Sequence, residues 1–251
     1  MRPVEAVILA AGMGTRLRPI GHQGPKGALV LQQRSIVEDS VHRLLQAGIE
    51  RITIVTGYQS EFYDALAESM PQTVYTIHNP KYADSGSMYS LFLARDRVAG
   101  DFLLLESDLI YEQRALSTLL ENPAVNLLLL SGKTGAGDEV YVAADSDRRL
   151  LAMSKQPDQL QAGIAGELVG ISKVSPALFE AICAFADESF ARNDSLHLDY
   201  ETDAMVAAGR SVPVHCVTVD GLLWSEIDDA AHYQRAIEID KLIRTKDVIA
   251  G

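Results

Sequence analysis

Two glycines, an arginine and a lysine stand close together near the start of the chain. The stretch Ala10-Ala11-Gly12-Met13-Gly14-Thr15-Arg16-Leu17-Arg18-Pro19 is followed by Gly24-Pro25-Lys26. Glycines let a backbone turn bring its N–H groups close to phosphate oxygens. Arg16 and Lys26 add cations. A dinucleotide-binding loop would carry a third glycine at residue 17, where Leu17 stands. A Walker-type loop would carry Gly-Lys-Ser/Thr, which is absent here. The pattern therefore predicts a phosphate-binding loop of another kind. The plain alternative is a turn with solvated basic side chains.

Carboxylates cluster further on. DFLLLESDLIYE puts Asp108 just past an apolar run, and WSEIDDAAHY puts Glu226, Asp228 and Asp229 ahead of a helical pattern. Each has an ordinary reading, since Asp is common at exposed strand ends and caps helices well. Asp138-Glu139-Val140-Tyr141 and Asp199-Tyr200-Glu201-Thr202-Asp203 add five carboxylates and two tyrosines.

The elements that must position these groups follow a regular rhythm. Apolar runs at 4–10, 51–56, 73–77, 101–106 and 124–130 read as strands. Amphipathic segments at 35–47, 59–69, 88–98 and 112–120 read as helices between them, with Gly48 placed to stop the first. The strands are continuously apolar, as parallel strands covered on both faces should be. Right-handed crossovers then give an α/β, doubly wound, mostly parallel sheet. After Ser131 come short strands at 140–144, 150–154 and 165–172. Helices at 176–190 and 198–208, a strand at 212–219 and a closing helix at 229–242 complete the pattern. One unit spanning 1–251 is expected: a nucleotide half at 1–131, a small mixed acceptor half at 132–228, and a closing helix at 229–251. In open α/β sheets ligands sit beyond the carboxyl ends of the strands. The chemistry should lie after residues 10, 56, 77, 106 and 130.

LAAGMGTRLRP followed by PK resembles the signature of the nucleotidyltransferases that make NDP-sugars and CDP-alcohols. The resemblance implies a Rossmann-like fold. It also implies that Leu9, Ala10, Ala11, Gly12, Gly14 and Thr15 hold the base and triphosphate, with Arg16 and Lys26 neutralising the triphosphate. A nucleotidyl transfer needs a divalent cation, here Mg²⁺, on hard carboxylates. Members of the family carry an Asp after the corresponding strand and a second acid ahead of the final helix. Asp108 and Asp228 are the pair so implied, with Glu226 as a helper.

His78-Asn79-Pro80-Lys81-Tyr82-Ala83-Asp84, followed by Tyr89-Ser90-Leu91, resembles a stretch of bacterial cytidylyltransferases acting on phosphocholine and on 2-aminoethylphosphonate. That implies CTP, with Asn79, Ser85 and Ser87 at the nucleotide. A capped helix start is the alternative for the two serines. Lys155 stands where related enzymes place a second phosphate-binding lysine, although Ser154 and Gln156 flank it here. Gly166-Glu167-Leu168-Val169-Gly170 resembles a G-E-x-x-G strand of the same enzymes. Glu139, Glu167, Asp199, Tyr200, Glu201 and Asp203 are the acceptor candidates. A quaternary amine would want an aromatic cage. The phosphocholine enzymes carry tryptophans where Val140 and Glu201 stand, and Trp224 is the only tryptophan here. That tilts the acceptor towards a primary ammonium, hence 2-aminoethylphosphonate. Phosphocholine, a sugar 1-phosphate and a non-catalytic nucleotide-binding protein remain the alternatives.

The 251 residues carry 34 acidic and 22 Lys and Arg side chains, a formal charge of -12. Such an acidic chain is no nucleic-acid partner, because that footprint is basic. The apolar Ala6–Met13 run, broken at Gly12, is expected to be a buried strand rather than a leader. No run is long enough for a membrane span. Cys183 and Cys216 make no disulfide framework. A cytoplasmic enzyme is expected, and a homodimer is compatible with this composition.

Overall fold

The computed structural model describes residues 3–250, so the outermost residues of the expected 1–251 unit lie outside the described ones. The first half runs β1 (Glu5–Ala10), α1 (Ile36–Gln46), β2 (Arg51–Thr56), α2 (Glu61–Ser69), β3 (Val74–His78), α3 (Ser87–Leu93), β4 (Phe102–Glu106), β5 (Leu109–Tyr111), α4 (Arg114–Glu121) and β6 (Leu127–Ser131). The second half runs β7 (Tyr141–Ala144), β8 (Leu150–Ser154), β9 (Gly166–Val174), α5 (Pro176–Asn193), α6 (Val206–Gly209), β10 (His215–Val219), β11 (Trp224–Glu226) and α7 (Ala230–Ala250). Ser35 starts α1 with a reciprocal cap, its hydroxyl accepting from the Glu38 N–H and Glu38 accepting from the Ser35 N–H. Such a cap satisfies two otherwise unpaired donors.

The sheet order is β10-β6-β9-β4-β1-β2-β3. Pairings among β4, β1, β2 and β3, and between β6 and β10, are parallel. β9 runs antiparallel to both β4 and β6. β6 therefore does not continue the parallel run beside β4. A long strand from the second half fills that place, with β7 and β8 as a hairpin on its flank. One face packs under α1, α2 and α4, the other under α3, α5 and α6. This is the doubly wound α/β arrangement.

Four local differences from the sequence reading stand out. The 88–98 helix is shorter, passing into a 3₁₀ turn at Ala94–Asp96. The 198–208 helix opens as a π turn at Tyr200–Met205. The last strand begins after Pro213, which has no N–H for the ladder. Finally, β5 and β11 are three residues each and pair as an antiparallel ribbon. They are too short for a periodic pattern to show.

Candidate active site

The first loop leaves β1 at the heart of the sheet and turns through Thr15–Ile20 before Lys26 opens a second short turn. Gly14 has φ +58, and a Cβ there would lie 3.1 Å from Lys26 Cγ. The left-handed turn favours a glycine here, and Lys26 packs closely against it. Leu17 is fully buried with Leu29, Ile110 and Ile227. It anchors the loop to the core where a dinucleotide loop would present a glycine.

The β5–β11 ribbon draws the two acidic segments together. Glu226 pairs with Leu109, and the Ile227 N–H donates to the Asp108 carbonyl at 3.1 Å. Asp108 and Asp228 thereby flank Lys26. The Lys26 ammonium donates to Asp108 Oδ2 at 2.6 Å and also to Asp228 Oδ1. Arg16 donates to the same Asp228 oxygen and lies 3.9 Å from Asp138. Burial pulls the Lys26 ammonium down, but the charges of Asp108 and Asp228 hold it above its ordinary range. Burial opposes the Asp228 charge, yet Lys26 holds that carboxyl well below the usual range. Burial and the charges of Asp108 and Asp228 push Glu226 up to about 10.

Ligand-type oxygens of Glu106, Asp108 and Glu226 lie within 4.8 Å of one another. Asp138, Asp228 and His232 form a second such group. The donors of the first trio are hard carboxylates, the set Mg²⁺ prefers. Asp108, Asp228 and Glu226 gather around the Lys26 ammonium, more carboxylates than that one cation balances. The residues fit a divalent cation.

A cavity of about 260 Å³ opens beside this centre. Leu9, Ala11, Gly12, Lys26, Ser85, Ser87 and Asp108 are among its walls. Ala10 is buried behind it, and Thr15 is exposed on the turn. Asn79 is also behind the wall, fully buried. Its amide donates to the Ser85 and Ser90 hydroxyls at 3.1 and 3.0 Å, and its carbonyl accepts from the Lys81 N–H at 2.8 Å. Asn79 thus shapes the loop that Ser85 presents. Ser87 accepts from the Tyr200 N–H at 3.0 Å, joining this wall of the cavity to the DYETD segment.

That segment divides by direction. Tyr200 is buried and donates to Glu106 at 3.2 Å, and Glu201 lines an acid-walled recess. Asp199 and Asp203 are exposed, and the Asp203 carboxylate accepts from the Asp199 N–H at 3.0 Å. Glu139 and Glu167 line the recess as well. Glu167 accepts from the Thr134 N–H and hydroxyl at 2.7 and 2.9 Å, which ties down the loop before β7. Lys155 is exposed past β8, and its charge reaches Glu201. Glu106 and His232 were not among the sequence candidates. The signal for Glu106 was a carboxylate ending a continuous apolar strand. His232 carried none beyond a helix start.

The fold and the loop together define a nucleotidyltransferase. The chain belongs to the family of MobA-like NTP transferase domains, whose model matches residues 6–241. A choline-phosphate cytidylyltransferase of Streptococcus pneumoniae is 27% identical over 240 residues, covering 95% of this chain and 99% of that protein. A 2-aminoethylphosphonate cytidylyltransferase of Lancefieldella rimae is 33% identical over 107 residues, 42% of this chain and 43% of that protein. A solved structure of CTP:phosphocholine cytidylyltransferase from Streptococcus pneumoniae has a TM-score of 0.79 at 25% identity, covering 94% of this chain and 99% of that one. No helix among the described residues is long and apolar enough to cross a membrane.

Proposed function

We propose that this chain is a Mg²⁺-dependent cytidylyltransferase that transfers CMP from CTP to 2-aminoethylphosphonate, releasing pyrophosphate. The observation that carries this reading is a pair of cavities that share two wall residues. The larger one borders the glycine loop, Lys26 and Asp108, and the smaller is walled by carboxylates; Glu106 and Glu226 line both. With Lys26 and a divalent cation at the larger cavity and Glu139, Glu167 and Glu201 at the smaller, an acceptor with an anionic head and a cationic tail would suit both. Cytidylyltransferases among the relatives, and the Asn79–Asp84 stretch, favour CTP.

In this reading main-chain N–H groups of Leu9–Gly14 hold the nucleotide, with Ser85 and Ser87 facing it. Arg16 and Lys26 leave their carboxylates to meet the triphosphate. Asp108 and Glu226, which form one ligand-type group with Glu106, would hold Mg²⁺ together with Asp228 from the neighbouring group. When bound, the ion supplies charge neutralisation and alignment for the reacting anions. A phosphonate oxygen attacks the α-phosphorus, the new P–O bond forms, and the bond to the bridging oxygen breaks with its electron pair leaving on pyrophosphate. The attacking oxygen is already anionic, so no side chain must take a proton. The protein's contribution is then positioning and electrostatics. Lys155 would meet the phosphonate, and Glu139, Glu167, Tyr200 and Glu201 would line the amine end.

The test is pyrophosphate release from CTP and Mg²⁺ across acceptors. Release with 2-aminoethylphosphonate supports the reading. Release only with phosphocholine or a sugar 1-phosphate overturns the acceptor while sparing the reaction class. UTP used in preference to CTP overturns the nucleotide.

A further inference from the structure

Tyr63 lies on the first turn of α2 and is fully buried. Its ring belongs to the core on the α1, α2 and α4 side of the sheet, and Phe62 meets it edge-on with ring centroids 5.1 Å apart. Its hydroxyl has no hydrogen-bond partner among the described residues. Buried polar atoms in folded proteins are nearly always paired, because an unpaired one keeps the full cost of leaving water. A buried hydroxyl left unpaired beside an active site points to a partner gained in another state.

The place of this hydroxyl says which partner. A Cβ on Gly27 would lie 2.7 Å from Tyr63 Oη and 3.3 Å from the Ser107 carbonyl oxygen. The hydroxyl therefore stands where the backbone beside Lys26 meets the backbone beside Asp108. Its polar neighbours include the Gly27 N–H and the Ser107 side chain. In the ligand-free protein the Lys26–Asp108 pair spans the same gap, at 2.6 Å. Burial pushes the phenol up, so it stays protonated. A protonated phenol accepts one hydrogen bond and donates another. It can thus bridge an N–H on one backbone and a carbonyl on the other.

We propose that Tyr63 is a positioning residue for the transfer, its hydroxyl bridging the Gly27 N–H and the Ser107 carbonyl once nucleotide is bound. This rests on the reading in which Lys26 leaves its carboxylates to meet the triphosphate. When it leaves, the Lys26–Asp108 pair no longer ties the two backbones. The Tyr63 bridge then ties them, and keeps Lys26 and Asp108 in register across the reacting phosphates. Hydrogen bonds made only in the nucleotide-bound state favour that state, so the bridge adds to nucleotide affinity.

The experiment is Tyr63→Phe, which keeps the ring and removes the hydroxyl. Without ligand the variant's Tm should equal or exceed that of wild type, because an unpaired buried hydroxyl is gone. Its calorimetric Kd for CTP with Mg²⁺, or for UTP if wild type binds that instead, should rise about 3- to 10-fold, the worth of one or two neutral hydrogen bonds. KM for the acceptor should stay. Amide exchange at Gly27 should slow on nucleotide binding more in wild type than in the variant. A merely structural tyrosine gives the reverse pattern, a lower ligand-free Tm with nucleotide affinity kept. A lower ligand-free Tm, an unchanged Kd, or equal slowing at Gly27 overturns the bridge. Lys26→Met tests the reading beneath it. If that variant binds nucleotide as tightly as wild type, or wild type binds neither CTP nor UTP, the reading falls and the bridge with it. Weak binding by Lys26→Met beside normal binding by Tyr63→Phe overturns the bridge alone.

Discussion

The Lys26 ammonium lies 2.6 Å from the Asp108 carboxylate, across 82 positions of chain. The same nitrogen also reaches Asp228. One lysine thus joins the glycine loop to both acidic segments. In the ligand-free protein it stands in for the positive charge that the carboxylates require. The side chains are 18%, 12% and 5% exposed, so water screens the group little.

Replacing Lys26 by Met leaves Asp108 and Asp228 facing each other with only Arg16, on the Asp228 side, as a cation. Breaking a buried ion pair from one side costs about 3–5 kcal/mol. The urea midpoint of Lys26→Met should fall accordingly without divalent ions, and Mg²⁺ should restore part of the loss. A variant as stable as wild type in chelator would refute the stand-in role.

Asp108→Asn should behave in the opposite way towards stability. It removes one charge from a crowded acidic group, so the ligand-free Tm should hold or rise. Turnover should fall by about 10²–10³, the loss typical when one electrostatic stabiliser is removed, and its Mg²⁺ dependence should weaken. Full activity in that variant would overturn the metal assignment.

Glu226 makes ligand-free stability depend on pH. It ionises near 4.5 when free, but burial, Asp108 and Asp228 push it up to about 10 in the fold. Between those limits the folded chain holds a proton that the unfolded chain has released. Stability therefore falls as pH rises through this window. Thermal melts in chelator should show wild type losing more Tm than Glu226→Gln between about pH 5 and pH 9. Parallel curves for the two proteins would count against the buried carboxyl.

Glu167 holds the loop before β7 through its two bonds from Thr134. Glu167→Ala should free that loop, seen as faster proteolysis within 132–139. The KM for the acceptor should rise several-fold while that for CTP stays. An unchanged cleavage pattern would show that the tie is not what orders the loop.

The glycine loop was legible because its parts are contiguous: one backbone turn, its glycines and its cations lie within the first 26 positions. The long strands were legible too, since a strand covered on both faces must be apolar throughout. Asp108 and Asp228 stood out by position, each at the end of an element. What the tertiary structure decided is everything that depends on pairing across distance. β9 enters the sheet between β4 and β6, a placement that no local pattern encodes. The three-residue β5 and β11 find each other only through the ladder that brings Glu226 opposite Leu109. In DYETD the π turn sends Tyr200 and Glu201 inward and leaves Asp199 and Asp203 in solvent, although all four are polar neighbours in sequence. Composition can state that carboxylates are present. Only the packed chain, with Tyr200 donating its hydroxyl, settles that Glu106 is one that faces the cavity.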